Sequence, residues 1–164
     1  MLSKLKTAYE KLIHSKEFKH EGFFCGAFIM CNSKELDNTD WQIDFYNNKR
    51  DTITTYLVGS KIEVTDDSKV FKNEKVDIEE IKLENIKVNF NDIKEELNKI
   101  LKEKQEEPVK ITIILQNQKI PIWNIIYITQ KFNLLNVRID AVTGILIDEK
   151  IVPLLSFENG YANK

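Results

Sequence analysis

Two stretches decide how this chain is read: WQIDFYNNKRDTITTYLV, from Trp41 to Val58, and WNIIYITQKFNLLNVRID, from Trp123 to Asp140. In each, a tryptophan opens a run with apolar residues at every second position, a short polar break follows, and a second strand-like run returns. Trp41, Ile43 and Phe45 share one parity, with Gln42, Asp44 and Tyr46 on the other. NNKRD supplies turn-forming residues, and TITTYLV carries Ile53, Thr55 and Leu57 in the parity of Trp41. The tryptophans stand 82 positions apart, an even spacing. Ile125 and Tyr127 therefore correspond to Ile43 and Phe45, and Leu135, Val137 and Ile139 to Ile53, Thr55 and Leu57.

Working outward, Leu2, Leu5, Tyr9, Leu12 and Ile13 recur at helical spacing, which predicts an amphipathic helix reaching about Ser15. FFCGAFIMC, Phe23 to Cys31, is apolar in both parities. Such a strand is covered on both sides, or is covered on one and meets a partner on the other. Gly59 and Ser60 turn the chain into KIEVT. Asp66 to Val88 mixes charge with single apolar residues and reads as a linker holding one or two short extended pieces. Asn89 is a good N-cap, Val88 and Ile93 form a hydrophobic staple, and Ile93, Leu97, Ile100 and Leu101 make a helical stripe. From Pro108 follow PVKITIILQ, IPIWNIIYIT, LLNVRIDAV and ILIDEKIVPLL, rich in β-branched residues. The pattern predicts an α+β protein of two tandem units, 1–72 and 73–164, each a single helix packed on an antiparallel β-meander. Each tryptophan would be sealed beneath its own helix. Burying roughly 150–250 Å² of indole at about 25 cal/mol per Å² stabilises such a unit by several kcal/mol at most.

Composition narrows the function. The chain has 164 residues, 42% hydrophobic and 30% charged, as a globular domain has. Lys+Arg of 24 against Asp+Glu of 26 leaves a net charge of -2, which argues against nucleic acid as a partner. No unbroken apolar segment points to a membrane, so a cytoplasmic protein is expected. Cys25 and Cys31 would lie roughly 20 Å apart along one strand, too far for a disulfide, and read as small hydrophobes. His14 and His20 have no companions for nucleophilic catalysis or zinc binding, and no phosphate-cradling glycine loop occurs. Glu79-Glu80, Glu95-Glu96 and Glu106-Glu107 are balanced by neighbouring lysines and read as solvated faces. The expectation is a non-enzymatic chain without metal or cofactor.

A tryptophan opening a strand, a short break, and a strand ending in Asp140, Ala141, Thr143 and Gly144 followed by Ile145 resembles the C-terminal half of a PepSY module. IKVNFNDIKEELNKIL, Ile86 to Leu101, is similar to the family's approach to its helix. The first half resembles a more diverged copy that keeps Trp41 but has LVGSKIEV where the D-A-x-T-G signature would stand. The resemblance implies a helix on an antiparallel meander, of the PepSY or cystatin-like kind, and a non-catalytic role. PepSY modules occur in propeptides of thermolysin-type metallopeptidases and in spore-germination proteins.

The parity opposite Trp123 offers Ile122, Asn124, Ile126 and Ile128, too apolar a face to leave in water. Another part of the chain, a second copy or a foreign ligand must cover it. The expected function is thus a protein- or peptide-binding or regulatory module, with a second copy of the chain among its candidate partners. Asp44, Tyr46, Tyr56, Asn124, Arg138 and Asp140 of the outer parity are the candidate binding residues. The rival readings are a small-ligand carrier or enzyme with a pocket between helix and curved sheet, and a purely structural homodimer.

Overall fold

The computed structural model describes residues 1–65, 68–69 and 78–158. Helix α1 (Leu2–Ile13) leads into β1 (Phe23–Asn32), β2 (Trp41–Asn47), β3 (Thr52–Val58), β4 (Ile62–Val64) and the two-residue β5 (Ser68–Lys69). Helix α2 (Phe90–Glu103) precedes β6 (Pro108–Gln118), β7 (Ile120–Thr129), β8 (Asn133–Asp140), β9 (Leu146–Pro153) and the short α3 (Leu155–Glu158). All nine of these strands belong to one sheet of order β4-β3-β2-β1-β6-β7-β8-β9, with β5 beside β3. Every pairing is antiparallel.

The sheet overturns the expectation of two tandem helix-on-meander units. β1 pairs with β6 from Gly26↔Gln116 to Asn32↔Lys110, so the two runs of strands join edge to edge. Left apart, these strands would each present a row of unsatisfied N–H and C=O groups; joined, they become the centre of the sheet. The cores merge as well. Leu2, Leu5 and Leu12 of α1 belong to the same apolar cluster as Ile93, Leu97 and Ile100 of α2, over Ile29, Ile43, Ile113, Ile125 and Val137 of the sheet. Both helices therefore cover one face. Trp41 and Trp123, each 2% exposed, meet within that core at a ring-centroid distance of 6.3 Å. The expected unit boundary at 72/73 lies outside the described residues, as does most of the linker expected from Asp66 to Val88.

A second correction concerns β3. Trp41 pairs with Val58 and Asn47 with Thr52, leaving the four residues 48–51 between the strands. In such a register odd positions of β2 lie opposite even positions of β3. Thr54, Tyr56 and Val58 consequently face the core, while Ile53, Thr55 and Leu57 lie on the other face and are half-buried. In the second hairpin Trp123 pairs with Ile139 and Ile125 with Val137, so parity is kept across that turn.

Local signals place α2. Asn89 is its N-cap, and the Asp92 carboxylate accepts the Asn89 N–H at 2.8 Å, one arm of a capping box. The Asn89 side-chain oxygen accepts the Leu2 N–H at 3.1 Å, tying the start of α1 to the start of α2. At the other end Glu106 N–H donates to Leu101 O and Gln105 N–H to Lys102 O. Gln105 has φ 54, which completes a Schellman closure without glycine.

If one core holds both tryptophans, Trp41→Ala and Trp123→Ala should each destabilise by about 3–5 kcal/mol. The double variant should show a coupling of about 0.5–1.5 kcal/mol in urea unfolding. Strict additivity would mean that the indoles sit in separate cores.

Candidate binding face

Opposite the helices, the pairings set the outward side chains in rows. One row runs Leu57, Gln42, Phe28, Ile114, Asn124, Arg138, Asp148, and the next Thr55, Asp44, Gly26, Gln116, Ile122, Asp140. A third runs Met30, Thr112, Ile126, Asn136, Lys150, and a fourth carries Ile128, Leu134 and Val152. The middle of this face is mainly aliphatic and aromatic, interrupted by Thr112, Asn124 and Asn136, with Met30 61% exposed and Phe28, Ile114, Ile126, Ile128 and Leu134 half-buried. The face is framed by polar groups at its flanks.

Five of the six candidate residues lie on this face. Asp44 and Asp140 share a row but stand four strands apart, roughly 19 Å at the usual strand spacing. Asn124 sits between Ile114 and Arg138, and its Oδ1 is buried without a hydrogen-bond donor. Tyr46 is buried against the Phe23 ring, 5.5 Å between centroids, and its hydroxyl donates to Asp51 at 2.6 Å. The sixth, Tyr56, is a correction. Because of the four-residue hairpin its ring points into the core, 1% exposed, among Phe18 and Phe45, and its hydroxyl accepts the Lys19 N–H at 3.2 Å.

Arg138 and Asp140 have structural partners. The Arg138 guanidinium donates to Asp148 on β9 at 3.1 Å and to Gln118 on β6. The diagonal from Arg138 to Gln118 passes over Ile122, which explains why that outward isoleucine is only 1% exposed. Asp140 Oδ1 accepts the N–H groups of Val142 at 2.7 Å and Thr143 at 3.0 Å, and Gly144 closes the turn at φ 78. Burial pushes the Asp140 carboxyl up, but the Thr143 and Val142 amides and the Thr143 hydroxyl outweigh it and hold the group below the usual carboxylate range. Inside the same turn Ala141 is fully buried, and its carbonyl accepts from both Lys87 and Val88 at 3.1 Å. The Trp123 indole N–H donates to Val88 O at 3.0 Å. The Asp-Ala-Val-Thr-Gly segment thus moors the approach to α2.

Asp44 is different. Its Oδ1 accepts the Thr55 hydroxyl at 2.5 Å, and burial, opposed by that bond, raises its carboxyl above the ordinary range. Beside it Cys25 donates through Sγ to Asp44 O at 3.4 Å. Burial first, then the Asp44 charge, opposed by a backbone hydrogen bond, push the Cys25 thiol up to about 12. Sequence reading missed Gly26, Phe28, Met30 and Ile114 as parts of this face. The signal was the apolar character of FFCGAFIMC in both parities, which marks a strand with two apolar faces without saying which strand lies next to it. Among the described residues no group of three or more His, Cys, Asp or Glu could hold a metal ion, and no helix is long and apolar enough to cross a membrane.

No protein-family model matches the chain, and no curated protein matches it in sequence. In fold it is similar to the crystal structure of a protein described as a putative lipoprotein from Clostridium difficile 630. The TM-score is 0.50, with 92% of this chain and 90% of that one covered at 11% identity. A likeness at this identity bears on the fold alone.

Asp140→Ala, which leaves two turn amides without their acceptor, should destabilise by about 1–3 kcal/mol in urea unfolding. Asp140→Asn keeps an acceptor oxygen and should cost less than about 1 kcal/mol. At pH 8 the raised thiol pKa leaves little thiolate, so iodoacetamide should modify Cys25 in the folded protein more than about tenfold more slowly than free cysteine. The difference should vanish in denaturant; equal rates in the folded state would show the thiol to be open.

Proposed function

We propose that this chain is a non-catalytic binding module that takes a protein or peptide segment on the sheet face opposite α1 and α2. The observation that carries the reading is the run of Phe28, Met30, Ile114, Ile126, Ile128 and Leu134 across four adjacent strands, on the side away from the two longer helices. Apolar side chains in one contiguous field, rimmed by Arg138, Asp140, Asp148 and Lys150, have the composition of an interface centre with a polar rim. The opposite face is filled by its own side chains, from Trp41 and Trp123 to Leu97 and Leu115. That filling favours recognition on the surface over a small molecule held between helix and sheet. The resemblance of Trp123 to Ile145 to PepSY modules implies a role of the same non-catalytic kind. Charges of both signs on the rim favour protein over nucleic acid.

Selection of peptides from a random display library on the purified protein tests the reading. Enriched peptides should bind the wild type and lose at least tenfold in affinity to Ile126→Glu, with Met30→Glu as a second variant at an exposed position. Binding that ignores both substitutions would remove this face from recognition. A light-scattering mass of two chains, abolished by the same substitutions, would make the bound partner a second copy.

A further inference from the structure

The register of β1 with β2 slips between Phe24 and Gly26, so β1 carries a bulge at Cys25. Gly26 then falls opposite Asp44 on one side and Gln116 on the other, where the outer face has no side chain to offer. The result is a dip of about 250 Å³ walled by Phe28, Ile78 and Ile114, with Asp44, Glu79 and Asn117 among its polar groups.

The polar groups there share one property. Asp44 Oδ1 is occupied by Thr55, whereas Oδ2 overhangs Gly26, 3.8 Å from where a methyl group on that residue would stand. Asn117 donates through Nδ2 to Glu80 O at 3.3 Å, but its Oδ1 is buried and receives no donor. Among the described residues the lining includes two acids and no lysine or arginine. Acceptors and negative charge thus converge on a small space with apolar walls, and its described lining has no cation to bring donors to them.

From this geometry we propose that the Gly26 dip is a subsite for an alkylammonium group, the lysine side chain of a bound partner, with the ammonium on Asp44 and the methylenes against Phe28, Ile78 and Ile114. The proposal rests on the reading of this face as a peptide-binding surface and specifies one anchor of the partner. The raised Asp44 carboxyl agrees with it, since burial without a counter-charge is what a seated ammonium would relieve. A lysine suits the site for a further reason: its stem is apolar and only its tip is charged.

The test uses n-butylammonium chloride on the full chain, followed by amide nitrogen–proton spectra. Saturable shifts should centre on Gly26, Asp44 and Gln116. n-Butanol, which has the same chain without the charge, should bind at least tenfold more weakly. Asp44→Asn should lower butylammonium affinity at least tenfold while keeping an acceptor for Thr55. Gly26→Val should abolish binding with the carboxylate intact: a Cβ at Gly26 meets its neighbours at 3.4 Å and beyond, and the backbone there is not left-handed. Equal binding of butanol, or unchanged butylammonium binding in either folded variant, would overturn the subsite. Selected peptides that bind the face without a lysine preference would overturn it too, leaving the binding-module reading in place. Butylammonium bound at Gly26 on a protein that takes no peptide would do the reverse.

Discussion

The pairing of β1 with β6 is the constraint on which the remainder of the structure depends. Seven consecutive residue pairs join positions that lie 78 to 90 apart in the chain. Closing so long a loop costs conformational entropy, and that cost grows only slowly with loop length. What offsets it is the burial of two long apolar strands that would otherwise be sheet edges. Ala27 and Ile29 on one side and Ile111, Ile113 and Leu115 on the other then lie beneath both helices. Once that seam forms, Trp41 and Trp123 are brought together, α1 and α2 are placed on one face, and the opposite face becomes a single continuous surface.

Much of the local structure was legible in the residues. The alternation of Trp41, Ile43 and Phe45, and of Trp123, Ile125 and Tyr127, marks strands whose odd positions are buried, and they are. Asn89 announces the start of α2 and stands at its N-cap. Two of the failures share one physical origin, because each depended on register. A four-residue hairpin reverses parity between β2 and β3, so Tyr56 and Ile53 exchange the faces that an even spacing of tryptophans would give them. The bulge at Cys25 shifts β1 in the same way, and composition does not announce it. The junction of β1 with β6 was hidden for another reason: FFCGAFIMC states that both its faces are apolar, yet a strand's sequence does not name its neighbour across a long connection.

The same distinction separates the candidate residues. Arg138 and Asp140 attract attention as charges on a strand, but their hydrogen-bonding capacity is directed at Asp148, Gln118 and the turn amides. The Asp-Ala-Val-Thr-Gly segment is accounted for by its own geometry, since Ala141 offers its carbonyl to Lys87 and Val88 while Val88 receives the Trp123 indole. Asp44 has one oxygen directed away from any described side-chain donor, and it overlooks the place where the sheet lacks a side chain. Function in this fold is therefore sought where a strand irregularity leaves a polar group exposed to a cavity, not where charge is densest.

An open sheet of this width has two flanks, and the one formed by β9 runs for eight residues with Asp148, Glu149 and Lys150 exposed and Pro153 at its end. Glu149 is further held by Lys104 of α2 at 2.7 Å. Charges and a proline are the means by which a strand declines a new neighbour. Lateral pairing of a further strand is thereby disfavoured at that flank.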